Sequence, residues 1–270
     1  MKPPAGAGPP RTGEGAATDE SGVRHPAGTR RRPVIALDGP GGAGKSTLAR
    51  RVAEATGFVY LDTGAMYRAV AYAALQAGLG ADPAQLDEGA VASLAEAADL
   101  RLVPAPGCWR VLLRGEDVTE ALRAPAVEQL VPHVAGLPAV RRALVPLQRR
   151  LAAEGGVVVD GRDVGTAVLP DAEYKFFVTA DLRVRARRRQ RDLALRGETV
   201  AVEDVERRLA ARDALDSERG VGPLRQAADA LLLDTTELTV EQAVRAVLGA
   251  CPDLGAPVGS GGADGGGPGR

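Results

Sequence analysis

Val34-Ile35-Ala36-Leu37-Asp38-Gly39-Pro40-Gly41-Gly42-Ala43-Gly44-Lys45-Ser46 is the stretch on which the reading of this chain turns. Four apolar residues of strand type run into a glycine-rich loop, and a helix-period segment near 45–56 follows. From Gly39 to Ser46 the loop satisfies G-x-x-x-x-G-K-[ST] in full, between a strand and a helix. Each residue type has a physical reason. Glycines accept positive φ and let backbone N–H groups close around a phosphate chain. The helix start adds partial positive charge. Lys45 reaches the β- and γ-phosphates, and the Ser46 hydroxyl is suited to ligate Mg²⁺. Gly39, Pro40, Gly41, Gly42, Ala43, Gly44, Lys45, Ser46 and Thr47 are therefore expected to hold ATP or GTP. An ordinary glycine-rich strand–helix turn is the plain alternative, and motif and context together disfavour it.

Outward from the loop, apolar runs alternate with helical patterns. Val34–Leu37, Phe58–Leu61, Val157–Val159, Tyr174–Val178 and Leu231–Leu233 read as buried strands, with helices near 65–78, 181–196, 201–218 and 239–249. That rhythm predicts an α/β fold with a parallel sheet covered on both faces. The stretch from about 80 to 150 breaks it. Leu100–Val103 and Trp109–Leu113, joined through Pro104–Gly107, read as an antiparallel hairpin flanked by helices, an insertion into the core. Residues 1–32 are rich in Pro, Gly and small polar residues, and 251–270 are rich in Gly; both are expected to be disordered tails around a folded 33–250.

Composition narrows the class. The 270 residues carry 34 Lys+Arg against 35 Asp+Glu, with a pI near 6.2. That balance argues against a nucleic-acid or acidic-membrane binder. Aromatics, at 3%, leave little for base-stacking platforms. Only Lys2, Lys45 and Lys175 are lysines, so arginine is the default cation here. Cys108 and Cys251 build no disulfide framework, no apolar stretch reaches the roughly 18 residues a membrane span needs, and the N-terminus has no apolar leader. A cytoplasmic monomer is expected. A GTPase would carry Asn-Lys-x-Asp, which is absent; a motor or transporter would need a longer chain. A small kinase with one acceptor pocket fits the size.

Candidate acceptor residues follow the second and third strands, at the carboxyl edge where open α/β sheets bind ligands. In Asp62-Thr63-Gly64-Ala65-Met66-Tyr67-Arg68, Asp62 or Thr63 can cap the next helix, and Arg68 lies one turn into it. In Asp160-Gly161-Arg162-Asp163, either Arg162 and Asp163 form a plain ion pair, or Arg162 grips an anion while Asp163 accepts from a base amino group. Arg183, Arg185, Arg187, Arg188, Arg189 and Arg191 crowd one helix, as a solvated face or as a lid over transferring phosphates. Arg212, Asp216 and Arg219 fall on one helical stripe, which alone reads as intrahelical pairing.

Four blocks in order, Asp38–Thr47, Leu61–Arg68, Val159–Pro170 and Arg212–Arg219 with Ala228-Asp229-Ala230 beyond, carry a resemblance to the bacterial cytidylate kinase family of the nucleoside monophosphate kinases. It covers about residues 33–249. The resemblance implies a P-loop NTPase-type core with a five-stranded parallel sheet, an inserted CMP-binding subdomain at about 80–150 and a short Arg-rich lid at about 181–200. It implies Mg²⁺-dependent transfer of the ATP γ-phosphoryl group to CMP or dCMP, in pyrimidine nucleotide metabolism. Thr63, Arg68, Arg141, Arg162, Asp163, Arg212, Asp216 and Arg219 would bind CMP, with Arg68 and Arg162 on its phosphate, Arg141 and Asp163 on the base edge, and Arg212 and Asp216 on the ribose. Lys45, Arg162, Arg188 and Arg189 would be catalytic. The family stretch V-S-x-x-A-S reads Val127-Glu128-Gln129-Leu130-Val131-Pro132 here, so Pro132 stands where a serine contacts cytosine.

Overall fold

The computed structural model describes residues 32–80, 82, 86–105 and 108–254; the two tails, apart from Arg32 and residues 251–254, lie outside them. Strands β1 (Val34–Asp38), β2 (Val59–Asp62), β6 (Val157–Asp160), β7 (Tyr174–Thr179) and β8 (Leu231–Asp234) form one parallel sheet in the order β2-β6-β1-β7-β8. Strands β3 (Leu100–Ala105), β4 (Cys108–Leu113) and β5 (Glu116–Asp117) form a separate antiparallel sheet. The helices are α1 (Lys45–Thr56), α2 (Thr63–Gln76), α3 (Glu88–Ala97), α4 (Pro125–Gly136), α5 (Pro138–Ala152), α6 (Leu182–Ala194), α7 (Val202–Glu218) and α8 (Val240–Gly249).

Continuous apolarity in β1 is explained by cover on both faces. Ile35 and Leu37 point into a core with Leu48 and Val52 of α1 and Val247 of α8. Val34 and Ala36 point the other way, with Ala152 of α5 and Val159 of β6. The edge strands depart from the buried reading: Leu231 and Leu232 of β8 are 54% and 61% exposed, and Val59 of β2 is 50% exposed. A strand with one neighbour at the rim of the sheet leaves part of its apolar surface uncovered.

The described part of the 80–150 stretch builds a second core against α2. Met66 and Val70 of α2, Val91 of α3, Val111 of β4, Val127 and Val134 of α4 and Leu144 of α5 pack together. It meets the parallel sheet through Trp109, whose indole Nε1 donates to the Tyr60 carbonyl. After α8 the folded part runs past residue 250, because Cys251 is buried against the α1/α8 core and Pro252–Leu254 form a 3-10 turn. No helix among the described residues is long and apolar enough to cross a membrane.

Register places the chemistry. Asp62 lies beside Asp160, and Asp160 beside Leu37, so β2, β6 and β1 end abreast at one edge. β1 then passes straight into the Gly39–Gly44 loop. Gly39 has φ 144°, and a Cβ there would collide with the Val178 carbonyl oxygen, so the loop hugs β7 only with glycine at that position. Ile35, wholly buried at the centre of this edge, is the position to test: Ile35→Ala is expected to lose about 3 kcal/mol in urea unfolding. A loss under about 1 kcal/mol would contradict a close-packed β1.

Candidate active site

The strand ends and α1, α2, α4, α6 and α7 enclose a cleft of about 1150 Å³. At its floor the phosphate loop turns into α1 with Gly44 left-handed at the N-cap. Lys45 Nζ donates to the Pro40 carbonyl at 2.8 Å, folding the side chain back over the loop. Burial, then the nearby Arg162 guanidinium, push the ammonium down to about 7. Ser46 Oγ donates to Asp160 Oδ2 at 2.6 Å, and Thr63 Oγ1 to the Asp160 carbonyl at 2.7 Å. Burial and the neighbouring Asp62 raise Asp160 to about 6, against the pull of Ser46 and Lys45. A hydroxyl and a carboxylate side by side form a hard, all-oxygen donor set of the kind that suits Mg²⁺. No cluster of three or more His, Cys, Asp or Glu suited to a metal occurs among the described residues. A divalent ion here would depend on phosphate oxygens for the rest of its shell.

The acceptor side is tied by ion pairs that cross between elements. Arg162 does not pair with its neighbour Asp163; its Nε donates to Asp216 Oδ2 of α7 at 2.8 Å. Asp163 instead receives Arg141 from α5, whose other terminal nitrogen donates to the Tyr67 hydroxyl at 3.2 Å, with Arg219 at 3.6 Å on its second oxygen. Burial raises the Asp163 carboxyl despite those two arginines. Asp216, also buried, ends below the usual carboxylate range because Arg162 and Arg212 outweigh its desolvation. The Arg212–Asp216–Arg219 stripe is thus more than intrahelical pairing: Asp216 keeps Arg219 at 3.7 Å on Oδ1, while its Oδ2 leaves α7 for Arg162. Arg212 is held down at about 10 by burial and by Arg162, and its buried Nε has no hydrogen-bond partner among the described residues. Arg68 pairs with Asp62, which also caps α2 by accepting from the Ala65 N–H at 3.0 Å.

Arg183, Arg185, Arg188 and Arg189 of α6 go to four destinations rather than forming one face. Arg185 is buried beneath the phosphate loop, donating to the Gly41 carbonyl at 3.1 Å and to Asp213 Oδ2 at 2.6 Å, while Asp213 Oδ1 accepts from the Gly41 N–H. Arg188 donates to Thr235 Oγ1 and to the Thr235 carbonyl at 3.0 and 2.6 Å, in the loop after β8. Arg189 crosses to Glu128 of α4. Arg183 stays outside, with Glu203 and Glu206.

Of the residues singled out in the sequence, Gly41–Thr47, Thr63, Arg68, Arg162, Asp163, Arg188, Arg189, Arg212, Asp216 and Arg219 line this one cleft. Gly39 and Pro40 lie behind the loop, and Arg141 is buried behind Asp163. Within α4 the cleft is lined by Glu128, Val131 and Ala135, and Pro132 is not among the lining residues. Sequence reasoning overlooked Asp38, whose buried carboxylate accepts from the Val164 and Gly165 N–H groups at 2.8 and 2.7 Å and so pins the turn after Asp163 to the phosphate loop. Burial lifts it to about 6 against those two donors. A readable signal existed: four apolar strands of the parallel sheet end in an acid, Asp38, Asp62, Asp160 and Asp234. Gly222 was overlooked too. At φ 58° it packs so close to Asp163 and Arg141 that a Cβ would collide with both.

A parallel sheet with a phosphate loop at its central strand, facing a second arginine-rich pocket across one cleft, defines a P-loop kinase fold built to bring two phosphorylated ligands together. The cytidylate kinase family profile matches residues 35–252. The chain is 48% identical over 214 residues to a cytidylate kinase of Carboxydothermus hydrogenoformans, covering 79% of this chain and 95% of that protein. It is 48% identical over 219 residues to a cytidylate kinase of Geobacillus kaustophilus, covering 81% and 96%. A bifunctional pantoate ligase/cytidylate kinase of Synechocystis sp. matches at 46% over 221 residues, 81% of this chain and 42% of that protein. The chain belongs to the cytidylate kinase family.

The depressed Lys45 makes a testable prediction. A bound phosphate chain restores its ordinary value, so below about pH 7 the lysine is already charged and binding moves no proton, whereas above it binding takes one up. Calorimetry of ATP binding at pH 8 in buffers of different ionisation enthalpy should give uptake of roughly 0.9 proton, lost in Lys45→Met. No uptake in the wild-type chain would contradict the depressed lysine.

Proposed function

We propose that this chain transfers the γ-phosphoryl group of ATP to the phosphate of CMP or dCMP, with Mg²⁺, giving ADP and CDP or dCDP. The observation that carries this reading is a single cleft in which Lys45 and the glycine loop face Arg68, Arg162 and the Asp163 carboxylate. Gly39–Thr47 hold the phosphates of ATP, and Lys45 bridges toward the γ-phosphate. Ser46 and Asp160 are the residues that would hold Mg²⁺, which when bound neutralises phosphate charge. Arg68 and Arg162 hold the acceptor phosphate, Arg212 and Asp216 the ribose, with Arg219 assisting.

Base choice falls to Asp163 with Arg141. A carboxylate accepts from an exocyclic amino group and repels a carbonyl oxygen at the same position, which favours cytosine over uracil. The 80–150 insertion is read as the acceptor-binding subdomain and 181–200 as the lid. Pro132, where the family has serine, offers neither hydroxyl nor N–H and does not line the cleft, so base recognition is assigned to Asp163 with Arg141.

Chemically the step asks little of the protein. The bond from the γ-phosphorus to the β–γ bridging oxygen breaks, a bond to a CMP phosphate oxygen forms, and the electron pair leaves on ADP. That acceptor oxygen is already anionic near neutral pH and needs no general base. Catalysis is alignment plus stabilisation of charge on the transferring group by Lys45, Arg162, Arg188 and Arg189. Solution as a cytoplasmic monomer acting on small nucleotides, without nucleic-acid or membrane partners, completes the proposal.

Asp163→Asn tests it. The variant keeps the shape but loses the charged acceptor, worth about 1.5–3 kcal/mol, so kcat/KM for CMP should fall about 10- to 100-fold with KM for ATP unchanged. An unchanged kcat/KM for CMP would remove Asp163 from base recognition.

A further inference from the structure

Glu128 is the one acid that α4 sends into the cleft. Its carboxylate accepts from Nη2 of Arg189 on α6, and Arg196, just beyond that helix, lies 3.9 Å away. It also acts as an opposite charge on the buried Arg212. One carboxylate from the insertion thus sits among three arginines of the α6–α7 pair. The stretch the family writes V-S-x-x-A-S carries Glu128 at its first serine, and a serine could not neutralise an arginine.

Arg189 has a long stem and is about a quarter exposed. Left alone, such a side chain samples many rotamers, and each productive encounter with a phosphoryl group would have to order it afresh. A guanidinium has five N–H donors, so a carboxylate can hold one side of the fork while the rest stays directed into the cleft. The energy of a partly exposed pair is small. Its use lies in geometry, since modest misplacement of a charge that stabilises the transferring group lowers the rate steeply.

We propose that Glu128 is a positioning residue for phosphoryl transfer, holding the Arg189 guanidinium across the cleft so that it meets the transferring group already oriented. This rests on the reading of Arg189 as an arginine that faces that group. Because Glu128 would act through Arg189, its loss should matter only while Arg189 is present.

A double-mutant cycle on the full chain decides it, with ADP release measured at saturating ATP and CMP and KM determined for both. Glu128→Gln should lower kcat about 10-fold with both KM values within about twofold. Glu128→Asp should recover part of the loss, and Glu128→Gln in the Arg189→Ala background should change nothing further. Multiplying losses in the double variant would overturn the proposal, as would a loss confined to KM. So would faster turnover by Glu128→Gln, which would make the pair a restraint on Arg189 instead. If Arg189→Ala alone kept full activity, the reading of Arg189 itself would fall, whatever Glu128→Gln did.

Discussion

Lys45 feels the charges of both Arg162 and Arg212 in a largely buried cleft, and Lys45 and Arg212 are held below their ordinary values by burial and by Arg162. A protein gains no stability from gathering like charges out of water. The rest of the structure is arranged to hold them there. Asp160 ends β6 beneath Ser46 and Lys45, Asp216 reaches from α7 to Arg162, Asp163 joins Arg141 to Arg219, and Asp62 takes Arg68. Strand register places Asp62 and Asp160, and Asp62 also caps α2, whereas Asp163 and Asp216 are brought in by tertiary contact. The Nε of Arg212 stays buried without a hydrogen-bond partner among the described residues.

Much of this was legible in the sequence because periodicity and loop chemistry are local. The strand–loop–helix at 34–56, the hairpin near 100–113 and the helices of the second half follow from apolar spacing and glycine usage alone. The residues lining the cleft followed from strand ends and the four motif blocks. What escaped were partnerships set by tertiary contact. Nothing in the string Arg162-Asp163 says that the two side chains turn to different elements, or that Arg185 dives under the phosphate loop to Asp213 while Arg188 and Arg189 diverge. Edge position was equally hidden: Leu231-Leu232-Leu233 looks as buried as Val157-Val158-Val159, and only the strand order sets β8 at the rim.

The two halves of the cleft are joined by few, specific links. Asp38 ties the turn after Asp163 to the phosphate loop, Trp109 ties the β3–β4 hairpin to β2, and Glu128 ties α4 to α6. A donor and an acceptor of phosphoryl groups must be held in line, and such links set the distance between their sites without filling it.

The most direct test of this account is a substrate panel: ADP release with ATP and Mg²⁺, offering CMP, dCMP, UMP and AMP in turn. Fast turnover with CMP and dCMP and little with UMP or AMP is the predicted result, with Asp163 setting the choice of base. Absence of turnover with CMP and dCMP would contradict the account at its centre.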